Sequence, residues 1–158
     1  MTGVQTCALP ICWKVGYCVA PEQLSTEFRR IHQFVNFTVN TPMQLGLADF
    51  LRAHPEHHDE LPDFYQAKRD FFCAALASSR FTFTKAAGTY FQLLNYRHIS
   101  AQADLDLARK WTIEQKVASI PVSVFYAEPG EHQHGVLRFC FAKDDATLAQ
   151  AAEILCSL

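Results

Sequence analysis

The chain holds six cysteines in 158 residues, at positions 7, 12, 18, 73, 140 and 156, yet no C-x-x-C pair. It is too long for a disulfide-stapled miniprotein, so a reducing, cytoplasmic setting is expected, with Cys18, Cys73 and Cys140 as buried free thiols. It lacks a G-x-G-x-x-G and a P-loop: the glycines at 16, 46, 88, 130 and 135 encode no phosphate cradle. No apolar run approaches the roughly 20 residues that span a bilayer. No sign of charge dominates, with fourteen Lys and Arg against sixteen Asp and Glu and a net charge of −2. That balance argues against a nucleic-acid partner and against a polybasic membrane surface. No Ser-His-Asp, Cys-His or paired-carboxylate arrangement stands out. His57 and His58 lie near two carboxylates, but their spacing matches no zinc pattern. Residues 54–60 therefore read as a solvated joint, with no metal.

What is present is a globular composition. Hydrophobic residues make up 49% and charged residues 19%, which excludes general disorder. Thirteen phenylalanines predict an interior or a pocket rich in aromatic rings.

Residues 1–11, MTGVQTCALPI, carry no charge, no helical period and no strand alternation. They fail as a signal peptide, which needs a positive start and a longer apolar stretch. TGVQTCALPI resembles the conceptual translation of a common sequencing adapter. That adapter ends in T, and a T replacing the first base of a GGC glycine codon gives TGC, a cysteine. Residues 1–11 are therefore expected to be non-native, and Cys12 to stand where the native residue was Gly. Finding the same codons in an amplicon from the source DNA would refute this.

From Trp13 to Ala20 the chain is aromatic and β-branched and stops at Pro21, a strand pattern. Leu24, Phe28, Ile31 and Val35 then mark an amphipathic helix. Asn40, Thr41 and Pro42 read as a turn, with a second helix over 43–53. A long helix is expected over 62–78, with Pro62 in its first turn. Strands are expected over 81–84 and 88–94, a helix from Asp104, a β-rich run over 120–126 and a loop over 128–135 with His132 and His134 exposed. A last strand covers 136–142, and Asp144 and Asp145 cap a final helix. From about residue 80 this is an α+β layer, a sheet with helices packed on it. Residues 12–78, one strand and three helices, cannot close a core alone.

One residue carries chemistry. Along the last strand Leu137, Phe139 and Phe141 point one way, and Val136, Arg138 and Cys140 the other. Neither face is polar, so Arg138 is a cation among apolar neighbours and needs an anion. The anion is either a fixed Asp or Glu of the fold or the carboxylate of a ligand gripped by the two-pronged guanidinium. Lys14, inside the first strand-like run, either lets its ammonium snorkel to water or aims a point charge at a phosphate.

Trp13-Lys14-Val15-Gly16-Tyr17, Asn40-Thr41-Pro42-Met43-Gln44, Gly88-Thr89-Tyr90-Phe91, the run IPVSVFY at 120–126 and the run LRFCFAK at 137–143 together resemble the pyridoxal-phosphate (PLP) aminotransferases of fold type I. The likeness is nearest to the branch holding bacterial methionine aminotransferases and kynurenine and glutamine transaminases. It covers nearly all of residues 12–158. The resemblance implies an α/β parent, of which this chain is the last part of the large domain (12–60), a connecting helix (61–79) and an α+β small domain (80–158). It implies transfer of the amino group of methionine, or another large apolar or aromatic amino acid, to a 2-oxo acid, in a cytoplasmic homodimer. It gives Arg138 the substrate carboxylate and places Tyr90 and Phe125 on the substrate side. Lys14 would meet the cofactor phosphate, and Asn40 belongs to a segment that reaches the neighbouring subunit's pocket.

The Ser-x-x-Lys motif that supplies the family's Schiff-base lysine occurs nowhere in this chain. Lys85 lies in a different motif and does not replace it. The groups that hold the PLP ring are also absent, and PLP chemistry needs both. The chain is therefore expected to be the C-terminal part of a longer enzyme and to have no transaminase activity alone. The rival expectations are a free-standing carboxylate-binding α+β module and a carbon–sulfur lyase of the same fold.

Overall fold

The computed structural model describes residues 5–7, 15–128, 130 and 135–158. Cys12, Trp13, Lys14, His132 and His134 lie outside these described residues. The chain forms two compact units, residues 1–57 and 58–158.

In the first unit, β1 (Gln5–Cys7) pairs antiparallel with β2 (Tyr17–Val19), Thr6 opposite Cys18. β1 falls within the segment read as adapter-derived. Helix α1 (Glu22–Val35) forms where the apolar period places it, but its stripe is uncovered: Leu24, Phe28, Ile31 and Val35 are 50–75% exposed. Helix α2 (Thr41–Ala53) begins two residues before the expected start. The expected turn at Asn40–Pro42 is instead a helix start. Asn40 Oδ1 accepts the Met43 N–H at 3.3 Å, and Pro42 sits in the first turn, where its missing N–H has no intrahelical partner to lose.

Helix α3 (His57–Ala75) begins five residues before Pro62, so part of the expected solvated joint is helical. Asp59 and Glu60 in its first turn suit the positive end of the helix dipole. Pro62 is carried inside the helix rather than starting it.

The second unit is built on an antiparallel sheet ordered β3 (Phe91–Asn95), β5 (Val136–Cys140), β4 (Ile120–Pro121). Arg138 in the middle strand stands opposite Leu93 on one side and Ile120 on the other. Helices α4 (Asp104–Glu114) and α5 (Asp145–Ser157) complete the layer, with Asp144 Oδ1 accepting the Thr147 N–H at 2.8 Å as the cap of α5. The core gathers Leu137, Phe139 and Phe141 with Leu94, Phe72, Leu76, Trp111, Leu148 and Leu155. Burial of each such side chain contributes about 1.5–3 kcal/mol. Rings meet edge-on there, as Phe81 does with Trp111 and Phe139.

Two expected strands are cut short by buried polar side chains. The run 81–84 keeps only a bridge, Thr82 to Asn95, because the Gln92 amide takes over from the ladder. Gln92 Nε2 donates to the Thr84 carbonyl at 2.8 Å, and its Oε1 accepts the Ala86 N–H at 3.0 Å. The run 120–126 is a strand only to Pro121 and then coils into a 3-10 turn over Ser123–Phe125. The Asp104 carboxylate causes this, by accepting both the N–H and the hydroxyl of Ser123. Of the thiols expected to be buried, Cys73 is, and burial pushes its thiol pKa up. Cys18 and Cys140 are exposed: Cys18 lies on a short hairpin strand and Cys140 on the outer side of β5.

Among the described residues no helix is long and apolar enough to cross a membrane, and no three His, Cys, Asp or Glu converge as metal ligands.

Candidate functional site

β5 turns Leu137 and Phe139 into the core and sends Arg138 to the opposite face. There the guanidinium carbon lies 4.6 Å from the ring centre of Phe91 and 5.4 Å from that of Phe125. Phe91 is half-buried on β3, and Phe125 is the last residue of the 3-10 turn. Among the described residues, no carboxylate pairs with Arg138 and none of its guanidinium N–H groups donates a hydrogen bond. Of the two readings of Arg138, the fixed internal acid is therefore not found among the described residues. The rings attract the cation through their π faces but supply no acceptor, which leaves a planar fork of donors for an anion.

Arg138 opens on a cleft of about 500 Å³, lined also by Tyr90, Phe91, Ile120 and Cys140, with Ala151 and Ile154 of α5. Tyr90 thus joins Arg138 at the cleft. Phe125 is not among its walls; it meets the site through the arginine. The neighbouring Tyr65 phenol has its pKa raised, first by burial and then by the Cys140 thiol and Tyr90. Asn40 belongs to the first unit, is exposed, and has its side-chain oxygen engaged in capping α2. Lys14 lies outside the described residues.

Three residues of the site were not singled out from sequence. Phe91 reaches Arg138 only through the β3–β5 register. Asp104 is 1% exposed and accepts the Ser123 N–H at 2.8 Å, the Ser123 hydroxyl at 2.7 Å and the Leu105 N–H at 2.9 Å. Ser123, its partner, is also buried. A near-fully buried carboxylate in a helix's first turn leaves no mark in apolar periodicity. The available signal was the serine interrupting the β-rich IPVSVFY run.

The family model described as aminotransferase class I and II matches residues 11–155, and the chain belongs to that family. Its members are PLP-dependent enzymes of fold type I. The chain is 51% identical over 143 residues to methionine aminotransferase of Escherichia coli, covering 90% of this chain and 36% of that protein. It is 32% identical over 167 residues to a kynurenine–oxoglutarate transaminase of Dictyostelium discoideum, covering 92% of this chain and 38% of the relative. The crystal structure of an E. coli protein with a methionine aminotransferase function superposes with a TM-score of 0.78 at 50% identity, over 93% of this chain and 38% of the other. The chain therefore spans little more than a third of the length of these relatives. Of the two residues expected at the cofactor, Asn40 caps α2 with its side-chain oxygen and Lys14 lies outside the described residues.

Proposed function

We propose that this chain is the carboxylate-gripping part of a PLP-dependent aminotransferase. The whole enzyme would move the amino group of methionine, or another large apolar or aromatic amino acid, to a 2-oxo acid. The observation that carries this reading is Arg138, flanked by Phe91 and Phe125 at the mouth of a cleft with no carboxylate partner among the described residues. A substrate α-carboxylate would complete its donors with a two-pronged, charge-assisted bond worth about 1.5–3 kcal/mol. The apolar walls, Phe91 and Ile120 among them, suit a substrate with an apolar side chain, and Tyr90 lines the same cleft. Phe125 acts on the substrate side by holding the arginine. Family membership and the E. coli relative support the reaction class.

Lys14 is proposed to meet the cofactor phosphate and Asn40 to approach the neighbouring subunit's pocket in a cytoplasmic homodimer. Residues 12–60, 61–79 and 80–158 are proposed as large-domain remnant, connecting helix and small domain. The uncovered stripe of α1 fits a chain whose larger part lies upstream. The family match begins at residue 11, the last residue of the segment proposed to be non-native.

The test is a chimera in which residues 13–158 replace the matching part of E. coli methionine aminotransferase. Loaded with PLP, it is expected to turn over methionine repeatedly, beyond the one equivalent that the bound cofactor takes up, only when a 2-oxo acid is supplied, while the 158-residue chain alone turns over nothing. Turnover by the chain alone would refute the proposal. So would cleavage of a carbon–sulfur bond by the chimera without a 2-oxo acid, the signature of a lyase.

A further inference from the structure

Arg138 reaches the cleft from a strand, but one of the two rings that hold it does not. Phe125 is 61% exposed and sits at the end of a turn of three residues, Ser123–Phe125, beyond a strand of only two. So short a turn has little hydrogen bonding of its own to fix its path. What ties it down is Asp104, at the start of α4. Its two carboxylate oxygens take the Ser123 N–H at 2.8 Å and the Ser123 hydroxyl at 2.7 Å, both bonds buried. The same carboxylate accepts the Leu105 N–H at 2.9 Å, which fixes its own rotamer against the helix. Bonds from a charged acceptor in a dry setting are the strong ones, and a buried carboxylate left without donors would be costly. The turn backbone is therefore pinned two residues before Phe125, whose ring lies 5.4 Å from the guanidinium carbon of Arg138.

We propose that Asp104 is a positioning residue for substrate recognition: through Ser123 it holds the turn that keeps Phe125 against Arg138, and so sets how well the guanidinium meets a substrate carboxylate. The inference rests on the reading of Arg138 as the carboxylate grip. Asp104 touches no substrate in this scheme. It pre-organises the arginine, so its loss weakens the response to a carboxylate and spares the rest of the substrate.

The experiment uses the PLP-loaded, full-length chimera and two substrates that differ only in the carboxylate: methionine and 3-(methylthio)propylamine. The half-reaction of each is followed as a single turnover of the cofactor spectrum, so that a slow amine still gives a rate. The variants are Asp104→Asn, Ser123→Ala, Phe125→Leu, Phe125→Tyr and Arg138→Gln. Asp104→Asn turns an amide N–H toward the Ser123 donors, and Phe125→Leu removes the ring from an exposed position where folding is not at stake. Both are expected to lower the methionine-to-amine rate ratio by about tenfold or more, mostly through a weaker apparent binding constant for methionine, the size of about 1.4 kcal/mol. Ser123→Ala, which keeps the backbone bond, is expected to fall between, and Phe125→Tyr to restore the ratio. If Asp104→Asn and Phe125→Leu slow both substrates equally, or leave both unchanged, the positioning role is overturned. If Arg138→Gln itself leaves the ratio unchanged, the carboxylate reading fails and takes this inference with it. If Arg138→Gln collapses the ratio while Asp104→Asn and Phe125→Leu do not, the positioning inference alone is refuted.

Discussion

Phe91 and Arg138 are diagonal neighbours across two antiparallel strands. Leu93 stands directly opposite Arg138, and Phe91, two residues earlier on the same face, stands opposite Cys140. Diagonal pairs are within reach of aromatic and long side chains, and here the ring centre and the guanidinium carbon come to 4.6 Å. The register of β3 on β5 thus fixes half of the arginine's surroundings.

Removing either partner should separate grip from reaction. Arg138→Gln in the PLP-loaded chimera is expected to raise the KM for methionine by roughly ten- to a hundredfold, from the loss of a charge-assisted bond of about 1.5–3 kcal/mol. Phe91→Ala is expected to cost less, about two- to thirtyfold, the range of a cation–π contact of about 0.5–2 kcal/mol. Steady-state kinetics with varied methionine reads both. An unchanged KM in Arg138→Gln would remove the arginine from substrate binding.

Thiol labelling checks the faces of the second unit. Cys140 is exposed on the side of β5 that carries Arg138, while Cys73 is buried with its thiol pKa pushed up by desolvation. A thiolate-selective reagent followed by peptide mapping should modify Cys140 rapidly and Cys73 only on unfolding. Equal rates at the two would contradict the packing of α3 against the sheet.

At alkaline pH the buried Tyr96 should report on the core. Burial, with Asp104 adding to it, pushes its pKa from 10.0 to about 12. A raised phenol pKa contributes stability that is fully present below 10 and is lost as pH rises through about 12. Phenolate absorbance is expected to show a component, Tyr96 in it, that ionises only at the alkaline end, together with loss of tertiary structure. Complete titration near 10 with the fold intact would count against the buried placement.

The acid limb carries the opposite sign. Asp144 is held below the usual carboxylate range chiefly by the Thr147 N–H, and Asp70 by hydrogen bonds from Lys85 and then Arg69. Each contributes stability that is present above the ordinary carboxylate pKa of about 3.9 and is lost as pH falls through its lower folded value. Asp144→Asn keeps a capping side chain without a titrating one. Its stability is therefore expected to fall less steeply than the parent's in acid denaturation below about pH 4.

The sheet layer was legible because its residues follow simple periods. Leu137, Phe139 and Phe141 alternate into the core, Asp144 caps α5, and Arg138 stands out as a cation on an apolar strand. Hidden features were those in which one side chain redirects a distant backbone. Gln92 draws in Thr84 and Ala86, and Asp104 draws in Ser123 across 19 positions of sequence. No local pattern announces such a bond, so the runs at 81–84 and 120–126 read as strands. Pro62 misled for a related reason: it fits a first turn by preference, yet Asp59 and Glu60 start the helix earlier. Exposed Cys140 follows from the same alternation that puts Arg138 on the outer face of β5, so its burial was expected from the residue type against the pattern. The turn expected at Asn40, Thr41 and Pro42 is a helix start because the Asn40 side chain caps α2, a role that the same three residue types equally allow.

The most direct measurement is a crystal structure of the PLP-loaded chimera with α-methylmethionine, an amino acid that has no α-proton to lose. The expected result is the α-carboxylate against Arg138 with two N–H···O contacts of about 2.7–3.0 Å, the guanidinium still flanked by Phe91 and Phe125. A carboxylate bound elsewhere, beyond hydrogen-bond reach of Arg138, would contradict the account.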